Sequence, residues 1–139
     1  MEDVDKLLEL IEPYVDKDLI LKRTREDLLS LISEFIFIKK DKRIIACAGL
    51  KKYDNNIAEI YCIAVAKDCQ NKGYSKKLLA KVFAKACEEN IKKIFALSKY
   101  GAKWFLYHGF KEASFSKLPE AKKIVFDKKR NPRIFIKYF

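Results

Sequence analysis

The run IAEIYCIAVAKDCQNKGYSKKLLAKV (residues 57–82) decides the fold. Its first part is apolar and rich in β-formers apart from Glu59, and reads as a buried strand. A polar stretch around Gly73 follows. Leu78, Leu79, Val82, Phe83 and Ala86 then form an apolar stripe at helical spacing that runs to about Glu89. Residues 91–97, IKKIFAL, read as a second buried strand. Strand, helix and strand make a crossover, so the two strands should lie parallel. A helix start leaves its first backbone N–H groups unpaired and carries about half a unit of positive charge, so it can hold an anion. Gly73 permits the backbone conformations that let a ligand come close. Gln70, Asn71, Lys72, Gly73, Tyr74 and Ser75 therefore occupy the place of an anion-binding bend. By pattern alone a plain glycine turn is the simpler reading.

Outward from this run, Val4, Leu7, Leu8, Ile11 and Val15 follow helical spacing, with Pro13 helping to stop the pattern. Thr24 opens T-R-E-D, a capping box with Asp27 in place of the commoner Glu, and Leu28, Leu29 and Ile32 continue a second helix. FIFIKK (35–40), a turn at DKR, IIACAGLKKY (44–53), a turn at DNN (54–56) and the strand 57–66 predict an antiparallel meander. GAKWFLYHG (101–109) reads as a short helix ended by Gly109, and RIFIKYF (133–139) as a closing strand. The expected fold is α/β or α+β, with a mixed, mostly antiparallel sheet flanked by helices.

A chain of 139 residues, 50% hydrophobic and 35% charged, is expected to form one globular domain. No apolar stretch approaches the ~20 residues that span a bilayer, and the acidic start MEDVDKLLEL is no secretion signal. A cytoplasmic protein is expected. Cys47, Cys62, Cys69 and Cys87 show no CxxC pairing and His108 is the only histidine, so reduced thiols and no metal are expected. The net charge of +11 is scattered along the chain, which suits a solvated surface that steers phosphorylated or carboxylate ligands inward. A nucleic-acid binder usually concentrates such charge on one face, so that reading comes second. A homodimer is compatible with the sequence, which does not set the oligomeric state.

Gln-x-x-Gly-x-Ser at 70–75 resembles the Arg/Gln-x-x-Gly-x-Gly/Ala signature of the GCN5-related N-acetyltransferase superfamily. EIYCIAV (59–65), KWFLYHGF (103–110), LPEAKK (118–123), KRNPRIFIKYF (129–139) and LILKRTREDL (19–28) further resemble the acetyltransferase domain of bacterial N-acetylglutamate synthases, in the same order over nearly the whole chain. The resemblance implies acetyl-CoA as co-substrate. The amides of 70–75 would bind its pyrophosphate, and Ile63, Ala64 and Val65 would pair with the pantetheine arm. It implies Glu59 as the base, acting directly or through water, and Ser98 as the group that protonates the leaving thiolate. Cys62 would contact the acceptor through its main chain. Lys22 or its neighbour Arg23 would bind the acceptor's α-carboxylate and Arg130 its side-chain carboxylate, the bidentate chemistry a diacid needs.

Each of these residues has a plainer reading beside it. Burial within an apolar strand would raise the pKa of Glu59 toward a useful value, whereas an edge carboxylate would simply pair with a lysine. Ser98 suits a cap for the helix after it as well as an acid. Lys22, Arg23 and Arg130 taken bare are surface charges, and Cys62 has no histidine near it in sequence to make a nucleophile. His108 is read as a partner for helix carbonyls, and Trp104, Phe105 and Phe110 as core aromatics.

Several positions depart from the family. Phe105 stands where many members carry a tyrosine, and Pro132 where the tail has a serine. Pro132 offers neither hydroxyl nor N–H to the acceptor's side-chain carboxylate. The chain starts almost on its first helix, so the sheet is expected to be one strand short. No amino-acid-kinase-like domain precedes it, which predicts a free-standing catalytic domain over 1–139. The leading expectation is transfer of acetyl to the α-amine of glutamate, the entry step of arginine synthesis, by direct attack in a ternary complex. Acetyl transfer to another amino acid, a polyamine or a protein lysine is the alternative, and a basic module for nucleic acid or ribosomes the third reading.

Overall fold

The structure is a computed structural model that describes residues 2–53 and 56–139. Among these, the strands β1 (Phe35–Lys40), β2 (Arg43–Tyr53), β3 (Ile57–Val65), β4 (Lys93–Ser98), β5 (Lys111–Ala113) and β6 (Arg133–Tyr138) form one sheet in the order β1-β2-β3-β4-β6-β5. The α-helices are α1 (Glu2–Asp16), α2 (Arg25–Leu31), α3 (Tyr74–Glu88), α4 (Ala102–Tyr107) and α5 (Glu120–Val125). β1 pairs antiparallel with β2 from Phe35↔Gly49 to Lys40↔Arg43. The crossover through α3 sets β3 parallel to β4, in register from Ile57↔Lys93 to Glu59↔Phe95. β6 pairs antiparallel with both β4 and β5. The mixed, largely antiparallel sheet expected from the sequence is the one observed. The turn read at DNN (54–56) falls partly outside the described residues.

Two expectations are corrected. Pro13 does not stop the first helix, which runs on to Asp16. Glu9, whose carbonyl the missing Pro13 N–H would have bonded, and Pro13 itself are both exposed, so water can satisfy that carbonyl. The helix ends instead through Asp18, at φ 58°, with the Leu19 N–H bonded to the Tyr14 carbonyl. The region between α4 and β6 also carries β5 and α5, which the sequence reading passed over.

The chain divides into two compact units, one comprising residues up to Leu50 with Cys62–Lys85, the other Lys51–Tyr61 with Ala86–Phe139. β3 contributes to both. In the first unit every residue of β2 from Ile44 to Leu50 is buried, the mark of a strand covered on both faces. Val4, Leu7 and Ile11 of α1 and Leu78, Leu79 and Val82 of α3 are buried at helical spacing. Burying each such side chain contributes about 1.5–3 kcal/mol. The capping box of α2 forms as read: the Thr24 hydroxyl accepts from the Asp27 N–H at 3.1 Å, and the Asp27 carboxylate accepts from the Thr24 N–H at 2.9 Å.

In the second unit, Ile57, Phe95, Leu118, Ile134 and Ile136 form a cluster, with Tyr53, Phe115 and Phe126 packed against it. Phe105 stacks on Phe135 and meets Phe110 edge to face, both at 5.2 Å, as core aromatics should.

Candidate active site

In the first unit, β3 runs out through a single 3-10 turn, Lys67–Cys69, into residues 70–73, and α3 starts at Tyr74. Asn71 (φ 62°) and Gly73 (φ 83°) both adopt the left-handed conformation, and a Cβ on Gly73 would meet nothing within 4 Å. The bend is thus open at the glycine, beside the first amides of a 15-residue helix. Arg43 grips Asp68 with two bonds of 2.8 and 2.9 Å, tying the turn before the bend to β2. This guanidinium holds the Asp68 carboxyl well below the usual carboxylate range.

Gln70 does not lean over the bend. Its Nε2 donates to the Tyr14 hydroxyl at 2.6 Å and to the Val65 carbonyl at 3.3 Å, and the Tyr14 hydroxyl donates to that same carbonyl. Burial pushes the Tyr14 phenol up, against the opposing pull of the Gln70 bond. The Ala66 N–H bonds the Ile45 carbonyl on β2 at 2.8 Å. By alternation, Ile63 and Val65 present their backbone groups on the edge away from β2, while Ala64 faces it.

Cys62 interrupts this strand with φ 51°, a conformation that strains any residue carrying a Cβ by roughly 1–2 kcal/mol. The Cys47 thiol donates to the Cys62 carbonyl at 3.3 Å, and burial pushes that thiol up, keeping it a donor. Of the two cations expected near the α-carboxylate, Arg23 lies close enough to act electrostatically on both thiols, while Lys22 is exposed. The Arg23 guanidinium also donates to the Leu21 carbonyl at 3.1 Å.

In the second unit, Glu59 is 7% exposed and lies beside Phe95 in the strand register. Its plain reading holds in part: it is paired with a lysine, but it is buried on an inner strand and not at an edge. Lys122 Nζ stands 3.0 Å from Oε1, and the Tyr53 hydroxyl donates to the same oxygen at 3.1 Å. Arg130 is half-buried in the turn after α5, where the Asp127 carboxylate accepts from the N–H groups of Lys129 and Arg130 at 3.0 and 3.1 Å. Pro132 helps to line an open pocket of about 350 Å³ together with Phe115, Phe126, Lys128 and Asn131.

Ser98 ends β4 and falls by alternation with Ile94 and Ala96, on the face opposite Phe95. Its Oγ accepts from the Gly101 N–H at 2.7 Å, so the hydroxyl hydrogen can still be donated. That bond serves the turn before α4, and it fits the capping role without removing the acid role. A Cβ on Gly101 would lie 2.6 Å from Ser98 Oγ. Gly101→Ala should therefore displace the hydroxyl and copy the kinetic effect of Ser98→Ala, and the added carbon, 3.3 Å from the buried Phe105 ring, should also lower the melting temperature. Kinetics of the two variants side by side check this; a wild-type kcat in Gly101→Ala alone would free Ser98 from dependence on the turn.

Sequence reasoning missed Tyr14, Tyr53 and Lys122. The first two carried no local signal. Lys122 lay within LPEAKK, and its spacing of four from Phe126 was the one hint that it faces the sheet. His108 caps α4 through its backbone, and its ring packs on Trp104 with centroids 4.6 Å apart. Among the described residues no group of His, Cys, Asp or Glu could hold a metal ion, and no helix is long and apolar enough to cross a membrane.

β3 thus carries a buried carboxylate and runs through a glycine bend to the head of α3. Residues 1–110 match the profile of the Acetyltransferase (GNAT) family, and the chain belongs to that family. An amino-acid acetyltransferase of Ectopseudomonas mendocina is 34% identical over 138 residues, covering 99% of this chain and 32% of the relative. One from Neisseria meningitidis is 37% identical over 122 residues, covering 87% and 28%. The N-acetylglutamate synthase of Neisseria gonorrhoeae, solved with coenzyme A and N-acetyl-glutamate, superposes with a TM-score of 0.93 at 35% identity, over 98% of this chain and 32% of that one. The chain spans about a third of the length of the curated relatives it matches.

Proposed function

We propose that the chain is an acetyl-CoA-dependent N-acetyltransferase that acts on the α-amine of L-glutamate in the cytoplasm, at the entry to arginine synthesis. Residues 1–139 carry the whole reaction in this reading. The observation that carries it is Glu59: a buried carboxylate on the strand that leads directly into the open bend at the head of α3. The amides around Gly73 take the diphosphate of the donor, and the N–H and C=O of Ile63 with the Val65 N–H pair with its pantetheine arm. Arg23, or its neighbour Lys22, binds the acceptor's α-carboxylate and Arg130 its side-chain carboxylate. The Cys62 backbone, held in its strained turn, touches the acceptor.

Glu59 takes a proton from the acceptor's ammonium, directly or through one water, and the free amine attacks the thioester carbonyl. The tetrahedral oxyanion collapses and the C–S bond breaks; Ser98 gives its hydroxyl proton to the departing thiolate and regains one, through water, from the second proton that the acceptor nitrogen loses as it becomes an amide. No acyl-enzyme forms. The reading is supported by the amino-acid acetyltransferases that match nearly the whole chain and by the synthase holding coenzyme A and N-acetyl-glutamate.

Pro132 favours a second reading, in which the same chemistry serves a broader set of amines, because it offers the acceptor's side chain no hydrogen bond. Incubation with acetyl-CoA and each amino acid, a polyamine and a lysine peptide in turn, following thiol release, separates the two. Glutamate is expected to give the highest kcat/KM, and Arg130→Ala to reduce it while sparing neutral or cationic acceptors. Faster turnover of a non-acidic amine would move the assignment to the second reading, and silence with every amine would remove both.

A further inference from the structure

We propose that Lys122 and Tyr53 are positioning residues that fix the Glu59 carboxylate by its Oε1, leaving Oε2 to face the acceptor amine or its water. The inference rests on the acetyl-transfer reading above and deepens it. Two donors from separate elements, Lys122 on α5 at 3.0 Å and Tyr53 on β2 at 3.1 Å, converge on the same carboxylate oxygen. Neither contact uses Oε2. A carboxylate that only needed neutralising could meet its lysine through either oxygen, whereas two donors on one oxygen fix the rotation of the group as well.

The packing around Lys122 holds it in place. α5 has six residues, and helices of that length are marginal without tertiary support. Leu118, just before it, is 4% exposed within the cluster that contains Ile57 and Phe95, the neighbours of Glu59 along β3 and across to β4. Phe126, one turn after Lys122, stacks on Phe115 at 5.1 Å against the same cluster. The stretch from Leu118 to Phe126 thus lies over the sheet face that Glu59 shares, and Lys122 is carried to the carboxylate on its inner side. The Lys122 side chain is 18% exposed, against 83% for Ile124 as a residue on the outer side. On the strand side, Tyr53 sits 5.6 Å from Phe95, so its ring is braced by the residue paired with Glu59.

A base must sit within hydrogen-bond reach of the proton it takes, and small misplacement is costly in rate. Losing either donor frees the carboxylate to rotate without removing it. Lys122→Met and Tyr53→Phe should each lower kcat about 10- to 100-fold, with KM for acetyl-CoA unchanged within about threefold. Lys122→Arg should restore most of the loss by returning a cation to Oε1. In a Glu59→Gln background Lys122→Met should bring no further loss, because it acts through a base already gone. Thermal melts separate any loss of fold from loss of rate. A folded Lys122→Met with kcat within twofold of wild type would overturn the proposal, as would losses that multiply in the double variant. If the wild type released no thiol with any amine, the acetyl-transfer reading itself would fail. The anchoring is then judged without turnover, in protein carrying glutamate labelled with 13C at the carboxyl carbon. The Glu59 signal should move in both Lys122→Met and Tyr53→Phe, and a signal that stays put in both refutes it.

Discussion

Glu59→Gln should lower turnover by about two to four orders of magnitude, the usual worth of a positioned general base. The variant tests chemistry and not folding, because the amide oxygen of glutamine can still accept from Tyr53 and Lys122, which meet a single oxygen in the native site. KM for acetyl-CoA should stay within a few-fold, since the contacts proposed for the donor lie on other residues. Steady-state kinetics, with a melting curve to establish folding, check the prediction. A kcat unchanged from wild type would clear Glu59 of the base role.

Gly73→Asp should raise KM for acetyl-CoA by roughly 10- to 100-fold while leaving kcat at saturation near the wild-type value. Two effects act together. Gly73 holds φ 83°, where any Cβ is strained by about 1–2 kcal/mol. The new carboxylate would also sit where the diphosphate is to be held, and like charges at close range oppose binding. Space is not the obstacle, because nothing lies within 4 Å of the added Cβ. Gly73→Ala isolates the backbone term and should cost only a few-fold. Equal effects from the two substitutions would show that no anion is held at the bend.

The strands and the crossover were legible because their apolar runs have the right length and are separated by polar turns. FIFIKK became a strand over the residues read, and the stripe from Leu78 to Ala86 became the helix joining two parallel strands. T-R-E-D was legible because a capping box is a purely local device, and both of its bonds form. β5 was hidden because its three residues are exposed or half-buried and two carry charge. Pro13 misled because a proline in the last turn of an exposed helix face costs little when water takes the orphaned carbonyl.

The candidate site divides along the same line. Gly73 and Glu59 stood out, one as a glycine between strand and helix, the other as a charge in an apolar strand. Lys122 did not, because in a chain with 30 Lys and Arg residues its spacing from Phe126 was a faint mark, and the carboxylate it meets shows only in the folded protein. Tyr14 was silent for the same reason: its hydroxyl reaches Val65 across 51 positions of sequence. Lys22 and Arg23 could not be separated by spacing alone, and only the folded chain sets Arg23 near Cys62.

The claim beneath all of this is that residues 70–75 hold a diphosphate at the head of α3. Amide NMR of the 15N-labelled chain titrated with coenzyme A, and separately with phosphopantetheine lacking the diphosphate, addresses it directly. The account predicts the largest shifts at Asn71 to Ser75 with coenzyme A, and much smaller shifts there with phosphopantetheine. Saturable binding of coenzyme A that left these amides unmoved would contradict it.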